Sequence, residues 1–240
     1  MAIQKQNKIM TIKYHFFGKE IEIDRELSNR GILNDGLAKE GFGENRSLFL
    51  NQIHSNKVCI IDSVEKIHGD QNLPKADAIV TNLADINIGV VTADCAPVLF
   101  FCEESNVTAA AHAGWKGAKL GVIQNTIMAM QELGASNIRS VIGPMISQES
   151  YEVSKEFYDE FISDDLANKV YFIAGKSTDK FLFDLNKYVE DRLRKSGVQN
   201  IQNLKTDTYQ SEGKYFSYRR TTHKNEEDCG RNVSLINASR

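Results

Sequence analysis

Apolar positions are densest between Ile88 and Gly117, in IGVVTADCAPVLFFCEESNVTAAAHAGWKG. The runs there are β-branched and aromatic, with a polar turn at Glu103–Asn106, and so predict buried strands. Past Gly117 the period lengthens. Val122, Ile123, Ile127 and Met130 form one stripe, which predicts a helix over 118–133 with Gly134 as its stop. Upstream, 12–23 reads as a hairpin turning near Gly18-Lys19. Residues 24–40 read as a helix carrying Leu27, Ile32 or Leu33, and Leu37 on one side. Strands are expected at 47–53 and 57–61, bracketing His54, and at 77–81 and 138–142. A helix over 150–162 would bury Val153, Phe157 and Phe161. A strand at 180–184, a helix ending near Gly197 and an alternating aromatic strand at 215–219 complete the pattern. Strands and helices mix, with hairpins and no regular βαβ rhythm. The expected class is therefore α+β, or α/β with mixed sheets. No repeat or low-complexity linker interrupts the 240 residues, so a single domain over 1–240 is expected.

Composition narrows the functional classes. With 41% hydrophobic and 25% charged residues, the chain has the make-up of a soluble globular protein. A net charge of −3 gives no reason to expect nucleic acid or an acidic membrane surface as a partner. No apolar run reaches membrane-spanning length, and MAIQKQNKIM lacks the apolar core of a secretory signal. Cys59, Cys95, Cys102 and Cys229 are scattered without a CxxC pair, which argues against a disulfide framework and for a reducing cytoplasm.

The candidate chemistry lies where apolar runs end. Cys95 closes one run, His112 closes the next, and His54 stands in small, polar surroundings in NQIHSNKV. His15, His68 and His223 read as surface or satisfied structural histidines. If His54, Cys95 and His112 converge, two imidazoles and a thiolate form a set that Zn²⁺ accepts, with a fourth position open. The same residues allow a metal-free account, with Cys95 as nucleophile and His112 as its base, and a buried, inert thiol is the third option. Asp94, beside Cys95, is a candidate for orienting a ligand or moving a proton. Cys59 and Cys102 sit in apolar strands and read as inert thiols. Arg219 in FSYRR offers a guanidinium fork for phosphate beside aromatic neighbours.

NQIHSNKV, ADAIVTN, TADCAPVLFF, AAAHAGWKG, IGPMISQESYEV, and FSYRR followed by CGR resemble, in the same order, one known family. It is the family once labelled multicopper polyphenol oxidase, or laccase-domain proteins, whose members are regarded as purine nucleoside phosphorylases with adenosine deaminase activity. The resemblance implies a layered sandwich of mixed β-sheets with flanking helices. It implies Zn²⁺ held by His54, Cys95 and His112, and a substrate or phosphate contact from Arg30 of the Asn29-Arg30 pair. The implied reaction is phosphorolysis of adenosine, inosine, guanosine or methylthioadenosine, with adenosine deamination beside it. Small-molecule nucleoside and phosphate are the expected partners of a monomer or weak homodimer.

The older label conflicts with the residues. A blue copper and a trinuclear cluster need clustered His-x-His ligands, and five dispersed histidines cannot supply them. The chain also departs from the family pattern. Ser55 replaces a glycine, Lys116 replaces an arginine, Asp207-Thr208 replaces Cys-Thr, and TTHKNEED is long and charged. The runner-up is a cysteine hydrolase or amidase acting on a cell-wall precursor, which some bacterial relatives suggest. A third class is a non-catalytic binding module with a structural metal.

Overall fold

In a computed structural model of the protein, the described residues are 11–21, 34–43, 46–66, 74–227 and 229–239. The first strands are β1 (Thr11–Phe17), β2 (Arg46–Leu48), β3 (Val58–Ile61), β4 (Ala78–Thr81) and β5 (Ile86–Thr92). The hairpin pair β6 (Ala96–Cys102) and β7 (Val107–Ala113) follows, then β8 (Arg139–Ile142) and β9 (Glu152–Ser154). Last come β10 (Phe172–Ala174), β11 (Lys180–Phe183), β12 (Asn200–Asn203) and β13 (Asn232–Ser239). The helices are α1 (Asn34–Lys39), α2 (Trp115–Leu120), α3 (Val122–Glu132), α4 (Lys155–Asp164), α5 (Leu185–Lys195) and α6 (Tyr218–Lys224).

Two mixed sheets lie at the centre. One runs β12-β8-β6-β7-β4-β3 and the other β1-β13-β5-β2, while β10-β11-β9 form a small antiparallel sheet. Strand alternation sorts the core into layers. Val98, Phe100 and Cys102 of β6 pack with Ile123, Ile127 and Met130 of α3 and with Tyr188 and Val189 of α5. Leu99 and Phe101 turn the other way and meet Ile86, Ile88 and Val90 of β5. Every residue of β6 and β7 is buried, which is why these strands read as unbroken apolar runs rather than as alternations. The expected α+β class and layering of mixed sheets are thus observed.

Several local expectations are corrected. Among the described residues β1 pairs with β13 at the far end of the chain, and residues 22 and 23 of the expected hairpin lie outside them. Of the expected 24–40 helix, only Asn34–Lys39 falls among the described residues as α1; residues 24–33 lie outside them. The 47–53 strand stops at Leu48. The expected 118–133 helix begins earlier, at Trp115, and breaks at Gly121, whose φ of 98° caps α2 and opens α3. That left-handed conformation suits glycine. Residues 152–154 form β9, and α4 starts only at Lys155, where the Ser154 hydroxyl accepts from Phe157 N. The 215–219 strand is replaced by α6, capped by Ser217, whose side chain accepts from Arg220 N. A cap serine followed by a turn of polar residues outweighed the short aromatic alternation.

Candidate metal centre

The three expected ligands come from three places in the fold. His112 is the next-to-last residue of β7. Cys95 immediately precedes β6, after a bend in which Asp94 adopts a φ of 82°. His54 stands in the turn before β3 with a φ of 56°, a left-handed conformation disfavoured for any residue but glycine and excluded from a strand.

Asp77, fully buried just ahead of β4, explains how that turn is held. Its carboxylate accepts from the backbone N–H groups of Ile53 (3.1 Å), His54 (2.9 Å) and Ser55 (2.6 Å) and from the Ser55 hydroxyl (2.7 Å). Its Oδ1 also lies 2.9 Å from Nδ1 of His112, and its carbonyl accepts from His112 N at 2.7 Å. One side chain therefore ties together two candidate ligands that are far apart in sequence.

The ligand atoms of His54, Cys95 and His112 all lie within 4.8 Å of one another. Cys95 Sγ is 3.8 Å from His54 Nε2, and the two imidazole rings cross at 77° with centroids 4.6 Å apart. Ligand atoms bound tetrahedrally to one zinc ion stand about 3.5 Å apart, so small side-chain movements suffice to close the set. Gly114 makes the room: a Cβ there would sit 2.8 Å from Cys95 Sγ and 3.2 Å from His54 Cδ2. Among the described residues this is the one group able to offer three such ligands.

Charge is arranged to match. Burial raises the pKa of the Cys95 thiol, but the His112 and His54 imidazoles outweigh it and bring the thiol down to about 6. Burial lowers the His112 pKa, and the Cys95 thiolate and the Asp77 carboxylate more than reverse that. Burial also works against ionised Asp77, yet its bonds with His112 and Ser55 hold its pKa at about 2. In metal-stripped protein, alkylation of Cys95 by iodoacetamide should therefore reach half its limiting rate near pH 6. Mass spectrometry of the modified peptide would show this; a midpoint near 9 would mean the imidazoles do not act on the sulfur. Cys59, pushed upward by burial, is expected to lag behind at every pH in that range.

The remaining candidates are placed differently. Arg30 lies outside the described residues. Asp94 borders the centre, but both its oxygens are engaged: Oδ1 accepts from the Thr208 hydroxyl (2.6 Å) and Oδ2 from Arg219 N (2.7 Å). It fastens the Cys95 bend to the start of α6. Arg219 donates from Nη1 to the Glu152 carbonyl at 2.7 Å and lies over the Tyr151 ring at 5.3 Å. Its other guanidinium donors have no partner among the described residues. The adjoining Arg220 is buried and spends its donors on the carbonyls of Thr208, Tyr209 and Tyr215, a structural role. His15 pairs with Glu40 and His223 meets the Tyr209 hydroxyl, away from the centre; His68 is outside the described residues.

Sequence reasoning missed two residues here. Asp77 sits in ADAIVTN, a segment noticed without a role for its carboxylate. Tyr151 packs edge-on to Phe183 at 5.8 Å, and burial and the nearby Cys95 thiolate raise the pKa of its phenol. Its proximity to both Cys95 and Arg219 depends on the turn before β9, which local pattern did not reveal.

A layered α+β fold that brings two imidazoles and a thiol together, a donor set able to hold a metal ion, defines the class of protein. Residues 27–239 match the family model described as multi-copper polyphenol oxidoreductase laccase, and the chain belongs to that family. A curated relative from Rickettsia conorii, named a purine nucleoside phosphorylase, is 41% identical over 179 residues, or 75% of this chain and 72% of its own length. YfiH of Escherichia coli, also named a purine nucleoside phosphorylase, is 33% identical over 192 residues, 80% of this chain and 73% of its own. A crystal structure of a Neisseria meningitidis protein matches with a TM-score of 0.71 at 33% identity, covering 85% of this chain and 78% of that one. YlmD from Geobacillus stearothermophilus shares the fold, with a TM-score of 0.77 at 21% identity over 97% and 93% of the two chains. Among the described residues no helix is long and apolar enough to cross a membrane.

Proposed function

We propose that this chain is a purine nucleoside phosphorylase acting at a zinc centre held by His54, Cys95 and His112, with adenosine deamination as a second reaction. The observation that carries the reading is the convergence of those three ligand atoms within 4.8 Å, in a family whose curated relatives bear that name. One thiolate and two imidazoles are a donor set that zinc accepts, and five histidines fall short of a multicopper set. When bound, the ion supplies a Lewis acid where electron density gathers on a departing purine or on polarised water.

The chain's own groups would do the rest. In phosphorolysis a phosphate oxygen bonds to the anomeric carbon as the bond from that carbon to the purine nitrogen breaks. The carbon becomes cationic on the way, so a nearby anion held in place favours the transition state. Arg219, anchored by Glu152 and Tyr151, is the phosphate contact of this proposal, with Arg30 a second. Ionised Asp77 keeps Nδ1 of His112 protonated, which turns the Nε2 lone pair toward the centre. Asp94 is kept as the candidate for moving a proton; giving up the Thr208 or Arg219 bond would free one of its oxygens.

Incubating metal-assayed protein with adenosine, inosine, guanosine and methylthioadenosine, with and without phosphate, tests the reading by chromatography of the released bases. Base release that requires phosphate and follows zinc content is expected, together with inosine formed from adenosine. Base release indifferent to phosphate would remove the phosphorylase. Metal-free protein that turns over an amide and is inactivated by iodoacetamide would put the cysteine hydrolase in its place.

A further inference from the structure

We propose that Asp77 is the positioning residue of the metal centre, preorganising His54 and His112 so that both present their Nε2 atoms to an ion before one arrives. The inference rests on the metal-centre reading above and goes beyond it, to a residue that does not itself touch the ion. The pattern of bonds carries it. Oδ1 receives the N–H groups of Ile53 and His54 and faces Nδ1 of His112; Oδ2 receives both the N–H and the hydroxyl of Ser55. All of these partners except the imidazole are obligate donors or act as donors here, so only an ionised, acceptor-only group satisfies them together. The bonds also offset the left-handed backbone of His54, which has no glycine to relieve it. Without that clamp, residues 53–55 would lose their side-chain link to His112 of β7, while the backbone bonds at Asn51 and Lys57 would still hold the ends of the turn.

Asparagine is the informative replacement because it keeps size while exchanging the charged, acceptor-only carboxylate for a neutral amide with one donor end. With its NH₂ at the Oδ2 position, it opposes the Ser55 N–H, now bonded at 2.6 Å. With its NH₂ at the Oδ1 position, it opposes the His54 N–H and drives His112 to the other tautomer, with a proton on Nε2 where a ligand lone pair is needed. Either orientation sets donor against donor.

The test is titration of metal-stripped protein with Co²⁺, read from the thiolate-to-cobalt band and the visible ligand-field bands, alongside far-ultraviolet circular dichroism. Wild type should take up one equivalent. Asp77→Asn should bind about 10- to 100-fold more weakly, with changed visible intensities and an unchanged fold. Val189→Ala, which removes buried side-chain volume from α5 without touching a ligand or Asp77, separates general loosening from positioning and should leave Co²⁺ affinity unaltered. If Asp77→Asn does not fold, Ser55→Ala, which deletes one donor to Oδ2 and the acceptor of the Lys57 N–H, carries the test with an expected loss at or below the low end of the roughly 10- to 100-fold range. Wild-type affinity and spectrum in the folded Asp77→Asn protein, or in Ser55→Ala where that variant must stand in, would overturn the positioning role while leaving the metal centre intact. An equal loss in Val189→Ala would overturn it too. A wild-type protein that takes up no Co²⁺ would remove the metal reading and this inference together.

Discussion

Cys95→Ser should lose its metal and, with it, phosphate-dependent base release. The serine hydroxyl stays protonated at neutral pH, so the centre forfeits its one anionic, soft donor and keeps two neutral imidazoles. Losing an outer partner commonly weakens metal binding by about 10- to 100-fold, and losing a direct ligand should exceed that range. Turnover should fall by about three orders of magnitude, since the groups aimed at the reacting atoms remain but their electrostatic focus is gone. Cys59→Ser is the matched control: that thiol lies in β3, its pKa is raised by burial, and it takes no part in the centre. Metal content by elemental analysis and base release by chromatography decide the matter together. A Cys95→Ser protein that retains zinc and activity would mean that sulfur is not a ligand. One that retains zinc but loses turnover would shift the chemistry toward the thiol itself.

The residues that converge at the candidate centre stood out in the sequence because burial writes a strong local pattern. β6 and β7 are covered on both faces, so each appears as an unbroken apolar run, and a cysteine or histidine at its margin stands out. Asp77 left no such mark. Its role is a matter of which backbone N–H groups its oxygens meet across about twenty residues of chain, and that distance is closed only when β3 pairs with β4. Non-local pairing hid the β1–β13 partnership in the same way. The FSYRR segment misled for a different reason. Its aromatic alternation is short, and the competing signal is a capping bond that the Ser217 hydroxyl accepts from the N–H three residues on. Once α6 is recognised, the two arginines part company. Arg220 points inward to three carbonyls, while Arg219 keeps most of its fork beside Tyr151 and the Asp94 bend.

Gly114→Ala is expected to damage the centre while sparing the fold, and it isolates space from backbone freedom. With φ at −65° and ψ at 164°, residue 114 has an extended conformation open to any amino acid, so alanine meets no backbone penalty. Its methyl group would, however, lie 2.8 Å from Cys95 Sγ and 3.2 Å from Cδ2 of His54. Neither neighbour is a flexible chain end: the sulfur is one bond from Cβ, and the His54 turn is fixed by Asp77. The sulfur must therefore rotate or shift away, and displacements of about 1 Å at a reacting centre can lower rates by about a hundredfold. A drop of that size in kcat/KM, with weaker metal retention and a thermal midpoint close to wild type, is the expected result. Gly213→Ala controls for the substitution itself, since a methyl group there meets nothing within 4 Å. Full activity and full zinc in Gly114→Ala would show that the sulfur leaves that position when metal binds, and that the crowding at Gly114 is no part of the working site.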